Sequence, residues 1–173
     1  MIFLAVLAGA TLVSAVVMRR AGPRAWARAG LGAALVVAGF AHLAAPTPFE
    51  QHLPSWVPAA PALVVLTGLV EIVVGIALVG ARRHAPLVGL ITAAYLVAVW
   101  PANIYVAVAR VDVDAQPGGP YPWVRIPLQV LFVYLAWWST QAPRDVGNTA
   151  LLPRVLPLGG SPRRTPVRWR VER

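Results

Sequence analysis

The sequence predicts an all-α, polytopic membrane bundle: a four-helix core preceded by one extra transmembrane helix. Three observations predict it. Hydrophobic residues make up 58% of the chain and charged residues 12%, with a mean hydropathy of +0.68, too apolar a balance for a soluble domain of this length. The apolar residues fall into five long runs, separated by segments rich in Pro, Gly and Arg. The run at residues 61–80 is twenty residues long, and at about 1.5 Å rise per residue that matches a hydrocarbon core of about 30 Å.

Each run has its own signals. Residues 2–18 are apolar and are followed, not preceded, by Arg19 and Arg20. A secretory signal places its cations first, so an uncleaved helix is expected here, with residues 19–28 as a short basic loop. Residues 26–45 form the second helix, with Gly30, Gly32 and Gly39 as packing points and His42 near its far end. Residues 46–61 hold five prolines, Pro46, Pro48, Pro54, Pro58 and Pro61, which forbid a regular helix. Phe49, Leu53, Trp56 and Val57 lay that stretch along the membrane interface. Residues 61–80 are the third helix. Residues 86–109 are the fourth, with Pro86 suited to its first turn and Pro101 expected to kink it. Residues 110–122 read as an exposed loop and 123–140 as the fifth helix, closing on Trp137 and Trp138. The domain plan is therefore 1–25 for the extra helix and its basic loop, 26–142 for the core, and 143–173 for a basic tail expected to be disordered.

All fifteen basic residues are Arg, and the net charge is +9. Their placement gives that charge a meaning other than nucleic-acid binding. With five spans, thirteen of the fifteen fall on one side and only Arg110 and Arg125 on the other. The excess of Arg marks the cytoplasmic side. A multi-pass protein follows, with its N-terminus outside, its C-terminus cytoplasmic and the lipid bilayer as its first partner. The chain has no Cys, which excludes disulfides, thiolate metal sites and iron–sulfur clusters built from its own residues.

One carboxylate, Glu71, interrupts the third helix at its centre. An ionisable group near the bilayer midplane costs roughly 2.5–3.5 kcal/mol on insertion scales, so it should face protein and have a partner. Gly68 and Gly75, at i−3 and i+4, share its face and let a neighbouring helix approach. Glu71 is then a polar pin between helices, a carboxylate on a proton, quinone or ligand path, or a group that snorkels or sits protonated in lipid. His42, Trp100, Asn103, Arg125 and Gln129 fall in the outer half of the bilayer, with Glu71 about 15 Å below the outer helix ends. Three of them have a plainer reading. His42 can be a helix–helix hydrogen bond, Asn103 can bond the carbonyl freed by Pro101, and Arg125 can snorkel to headgroups. Arg125 is also long enough to reach Glu71, and it is the preferred partner, with His42 next.

The segments Gly39-Phe-Ala-His42, Thr67-Gly68-Leu-Val-Glu71-Ile-Val-Val-Gly75, Trp100-Pro101-Ala102-Asn103-Ile-Tyr105 and Trp123-Val-Arg125-Ile-Pro127-Leu-Gln129, with the Pro-rich stretch between the first two, resemble the DoxX family of small bacterial integral membrane proteins. The resemblance spans roughly residues 27–141. It implies a four-helix membrane core in a bacterial inner membrane. It also implies an association with oxidoreductase systems: family members are linked to thiosulfate:quinone oxidoreductase and to a mycobacterial membrane oxidoreductase complex. A related eukaryotic protein is an assembly chaperone for acetylcholine receptors. The first helix and the Arg-rich tail depart from the family pattern, and without Cys no dithiol mechanism is open to this chain.

Two functions are expected from these readings. One is a membrane subunit of an oxidoreductase system, working with other membrane or redox subunits. It would hold a quinone or small reductant among His42, Asn103, Arg125 and Gln129, with Glu71 as a proton relay. The other is a non-catalytic assembly or interaction protein. A transporter is less well supported, since no inverted repeat is visible. No resident cofactor is visible, no metal site is expected, and a quinone is the one cofactor the pattern accommodates. His52 and His84 lie in loops at opposite ends, which argues against bis-His haem ligation.

Overall fold

The computed structural model describes residues 2–141, and all of its regular structure there is helical. Five long helices are present: α1 (Ile2–Val17), α2 (Gly22–Ala44), α4 (Ala60–Gly80), α5 (Ala85–Ala109) and α6 (Tyr121–Thr140). A single turn, α3 (Thr47–Glu50), lies between α2 and α4, and a 3₁₀ turn (Arg82–His84) leads into α5. The segments Gly22–Ala44, Ala60–Gly80 and Arg82–Ala109 are long and apolar enough to cross a membrane, and Ile2–Val17 is an apolar helix of shorter length. These helices mark the chain as a membrane protein. The expected tail, 143–173, lies outside the described residues.

Two expectations need correction. The second helix starts at Gly22, not Trp26, so Arg24 and Arg28 stand on helix α2 and not in a loop. Gly22 has φ +80, a conformation that glycine adopts without penalty, and it closes a tight reversal that the Trp26 indole N–H fastens to the Met18 carbonyl at 2.9 Å. Pro23 then occupies the first turn, where no N–H is needed. The Pro-rich stretch 46–61 was expected to lack helix, yet it makes one turn at Thr47–Glu50. Pro48 falls in that first turn, where the helix tolerates it.

α2 is the hub. Leu31, Ala34 and Leu35 are fully buried and join Leu7 of α1, Val74 and Leu78 of α4, and Phe132 and Ala136 of α6 in one core. The α2–α4 seam is set by glycine. A Cβ on Gly32 would stand 2.7 Å from the Gly75 carbonyl oxygen, and one on Gly75 would stand 2.7 Å from that of Gly32. One heptad further, Gly39 and Gly68 oppose each other in the same way. Backbone lies directly on backbone at both levels, which is how helices associate where lipid removes the hydrophobic drive. α5 and α6 meet through Gly89, which faces Ala136 and Thr140. The buried hydroxyls of Thr92 and Thr140 donate to carbonyls of their own helices, so neither is left unsatisfied.

Candidate functional site

The glycine seam leads directly to the polar residues. His42 is three residues beyond Gly39 on α2, and Glu71 is three beyond Gly68 on α4. The missing side chain of Gly68 makes room for His42, whose Cβ would be 2.7 Å from any Cβ placed there. The imidazole therefore reaches the Glu71 carboxylate, with Nδ1 3.1 Å from Oε2. Both residues are buried or nearly so. His42 Nδ1 is also 2.9 Å from the Ala38 carbonyl, and the N–H is directed there. Glu71 Oε2 thus lies beside the imidazole but has no aligned hydrogen bond. Tyr95 of α5 closes the group: its hydroxyl is 3.4 Å from the Thr67 carbonyl, one turn before Glu71, and also interacts with the Glu71 carboxylate.

A column of rings runs from this pair toward the loops. The His42 ring stacks on Phe49 of α3 at 3.7 Å between centroids, and Phe49 stacks in turn toward His52 at 6.4 Å. His52 Nδ1 donates to the Pro48 carbonyl at 2.7 Å, and its Nε2 receives Arg125 at 2.7 Å. Arginine can only donate, so Nε2 must be the bare nitrogen and His52 must be neutral. The same Arg125 nitrogen donates to Gln116 Oε1 at 2.7 Å. Alongside, Gln51 and Asp114 pair through two bonds of 2.8 Å. Together these contacts clamp the Pro-rich stretch onto the 110–120 loop and cap one end of the bundle.

Burial, and then the adjacent Arg125 charge, push His52 down to about 4 from its ordinary 6.5. With the folded value depressed, the stabilisation is complete above pH 6.5 and is lost as pH falls from 6.5 toward 4. The loss is on the order of 3 kcal/mol across that window. Thermal melts in detergent at pH 7.5 and 5 should therefore show a larger acid-induced drop for the wild-type protein than for His52→Gln. Parallel drops in the two proteins would rule His52 out as the titrating group.

The six polar residues expected to share one site fall into separate groups. Glu71 meets His42. Asn103 donates to Gln129 Oε1 at 3.4 Å, and Gln129 donates to the Leu96 carbonyl at 2.7 Å. It is thus Gln129, not Asn103, that serves a carbonyl just before the Pro101 interruption. The Trp100 indole nitrogen is buried without a hydrogen-bond partner among the described residues. Arg125 does not pair with Glu71. It stands in the second turn of α6 beside the cap, where neutral acceptors take its donors without carrying a guanidinium to mid-helix. Gly68 and Gly75 do form the packing face, and α5 continues as helix through Pro101. Phe49, His52, Tyr95 and Gln116 were missed as site residues. Tyr95 carried a signal, a polar ring inside an otherwise apolar run. The Gln51-His52 and Asp114/Gln116 pairs carried another, since both loops lie at the same end of the bundle. Among the described residues no cluster of His, Asp or Glu is placed to hold a metal ion.

A family model described as a domain of unknown function (DUF8561) matches residues 31–140. The match takes in every residue of the pair, the ring column and the cap, and it begins after α1. No curated protein and no solved structure matches the chain.

Proposed function

The chain belongs to the DUF8561 family. We propose, from the buried Glu71–His42 pair, that it is a membrane subunit of an oxidoreductase system, with those two residues exchanging protons inside the bundle. One observation carries this reading: a carboxylate buried mid-helix, 3.1 Å from an imidazole, with one oxygen lacking an aligned donor. A structural pin would be expected to have its hydrogen bonds satisfied. A carboxylate–imidazole pair with a free acceptor can take up a proton and pass it on. Converting a quinone to a quinol takes two electrons and two protons. This chain's residues fit the proton side, and the electrons would come from a partner subunit's redox group.

The DoxX resemblance supports the same system and a core of α2, α4, α5 and α6, with α1 added. In this reading all five long helices cross a bacterial inner membrane. The cap faces outward, and the end bearing Arg19, Arg20, Arg24, Arg28, Arg82 and Arg83 faces the cytoplasm. A second reading, a non-catalytic assembly or interaction protein, is favoured by the cap, where Arg125, His52, Gln116, Gln51 and Asp114 bond one another. A cleft of about 350 Å³ opens beside the cap, but its lining includes neither His42 nor Glu71.

Quinone extraction and redox difference spectra of the purified full chain test the proposal. Near-stoichiometric quinone, reduced at least tenfold in Glu71→Gln, is the expected result. A folded protein with no quinone and no redox-linked proton uptake would sink it in favour of the assembly reading. Reporter fusions at residues 51 and 118 should report the exterior and those at 83 the cytoplasm; the reverse would overturn the orientation.

A further inference from the structure

At the end of the bundle opposite the cap, a cleft of about 230 Å³ lies between the α1–α2 reversal and the end of α4. Met18, Ala21, Ala25, Ala29 and Val79 form its apolar walls, and Arg28 and Arg82 supply its charge. The antiparallel α2–α4 register, fixed by Gly32 against Gly75, puts Arg28 level with Val79 in the last turn of α4. Arg82 follows two residues after that helix ends. The two guanidinium groups are close enough to repel each other. Among the described residues neither has a carboxylate partner, the one carboxylate contact of this kind being His42 with Glu71. Nearby Arg24 differs, because its guanidinium lies over the Trp138 ring at 5.5 Å.

Two cations held together over an apolar wall, with no carboxylate partner among the described residues, make a site for an anion that is itself amphiphilic. We propose that this cleft binds the phosphate headgroup of an anionic phospholipid. Arg28 and Arg82 would donate to the phosphate oxygens, and an acyl chain would lie along Ala25, Ala29 and Val79. Guanidinium groups suit this role because their planar donors match phosphate oxygens in pairs. A free phosphate would satisfy the arginines but leave the apolar wall unused. The position at the end of membrane-crossing helices, where headgroups lie, favours the lipid. The inference needs only that α2 and α4 cross a membrane, and it stands whether or not the chain has a redox role.

The test is native mass spectrometry of the full chain in neutral detergent, titrated with phosphatidylglycerol or phosphatidylcholine. The wild type should retain phosphatidylglycerol selectively. Arg28→Gln/Arg82→Gln should bind it at least about tenfold more weakly, because both charge-assisted guanidinium–phosphate contacts are lost. Arg20→Gln/Arg83→Gln removes the same charge from outside the cleft and should bind within twofold of wild type. Arg28→Lys/Arg82→Lys keeps the charge and should recover part of the binding, which guards against a folding defect in the glutamine variant. Equal weakening in the two glutamine doubles would mean diffuse surface charge and would overturn the site. Complete competition by millimolar inorganic phosphate would overturn the lipid assignment in favour of a free anion.

Discussion

Replacing His42 by alanine is expected to destabilise the bundle by about 3 kcal/mol, the scale set by removing one partner of a buried pair. The change takes the imidazole away from the Glu71 carboxylate and leaves the Tyr95 hydroxyl as its neighbour, with Oε2 still lacking an aligned donor. Adding Glu71→Gln to the same protein should give back at least half of that loss, because no buried charge then remains. The double variant should thus be more stable than His42→Ala alone, a sign of coupling that additive behaviour would contradict. Denaturation of the four proteins of this cycle in one detergent gives the answer. The parallel cycle of Glu71→Gln with Arg125→Gln should be additive, since Arg125 is engaged by His52 and Gln116.

Gly39→Ala is expected to cost about 2–3 kcal/mol, and Gly39→Val to prevent the bundle from closing. An alanine Cβ there would run into the Gly68 carbonyl oxygen, and it would stand 2.7 Å from Ile72 Cγ1. A flexible side chain can turn away, but a helix backbone cannot, so α2 and α4 must separate. Because His42 and Glu71 stand on the same two helices one turn further on, the separation should also weaken their contact. Gly9→Ala and Gly80→Ala provide the contrast, since a Cβ at either position meets nothing within 4 Å. Their stability should change by less than about 0.5 kcal/mol. Thermal unfolding of the three alanine variants decides the matter; equal shifts would mean that the seam is not tight.

How much of this was legible beforehand depends on the range of the interaction. The five helices and the loops between them came from local signals: long apolar runs, prolines that remove N–H groups, and glycine and arginine at the ends. Those effects act within a turn or two, so the chain itself determined them, with errors of only a few residues where Pro23 opens α2 earlier than the apolar run suggested. The need for a partner at Glu71 was legible too, because the cost of a carboxylate in the middle of an apolar helix does not depend on its neighbours. The glycine face at Gly68 and Gly75 followed from helical spacing alone.

Which partner Glu71 takes was decided only by the tertiary structure. Arm length and permanent charge made Arg125 the natural choice, but reach says nothing about which helices lie side by side. The approach of Gly39 to Gly68 brings α2 onto α4 and delivers the shorter His42 to the carboxylate. Arg125, on α6, meets the folded-back loops first and is held there by His52 and Gln116. The cap itself joins residues more than sixty positions apart, such as Gln51 with Asp114. Such pairs form once helix packing has set the ends of the chain's loops against each other, and no periodicity along the sequence encodes them.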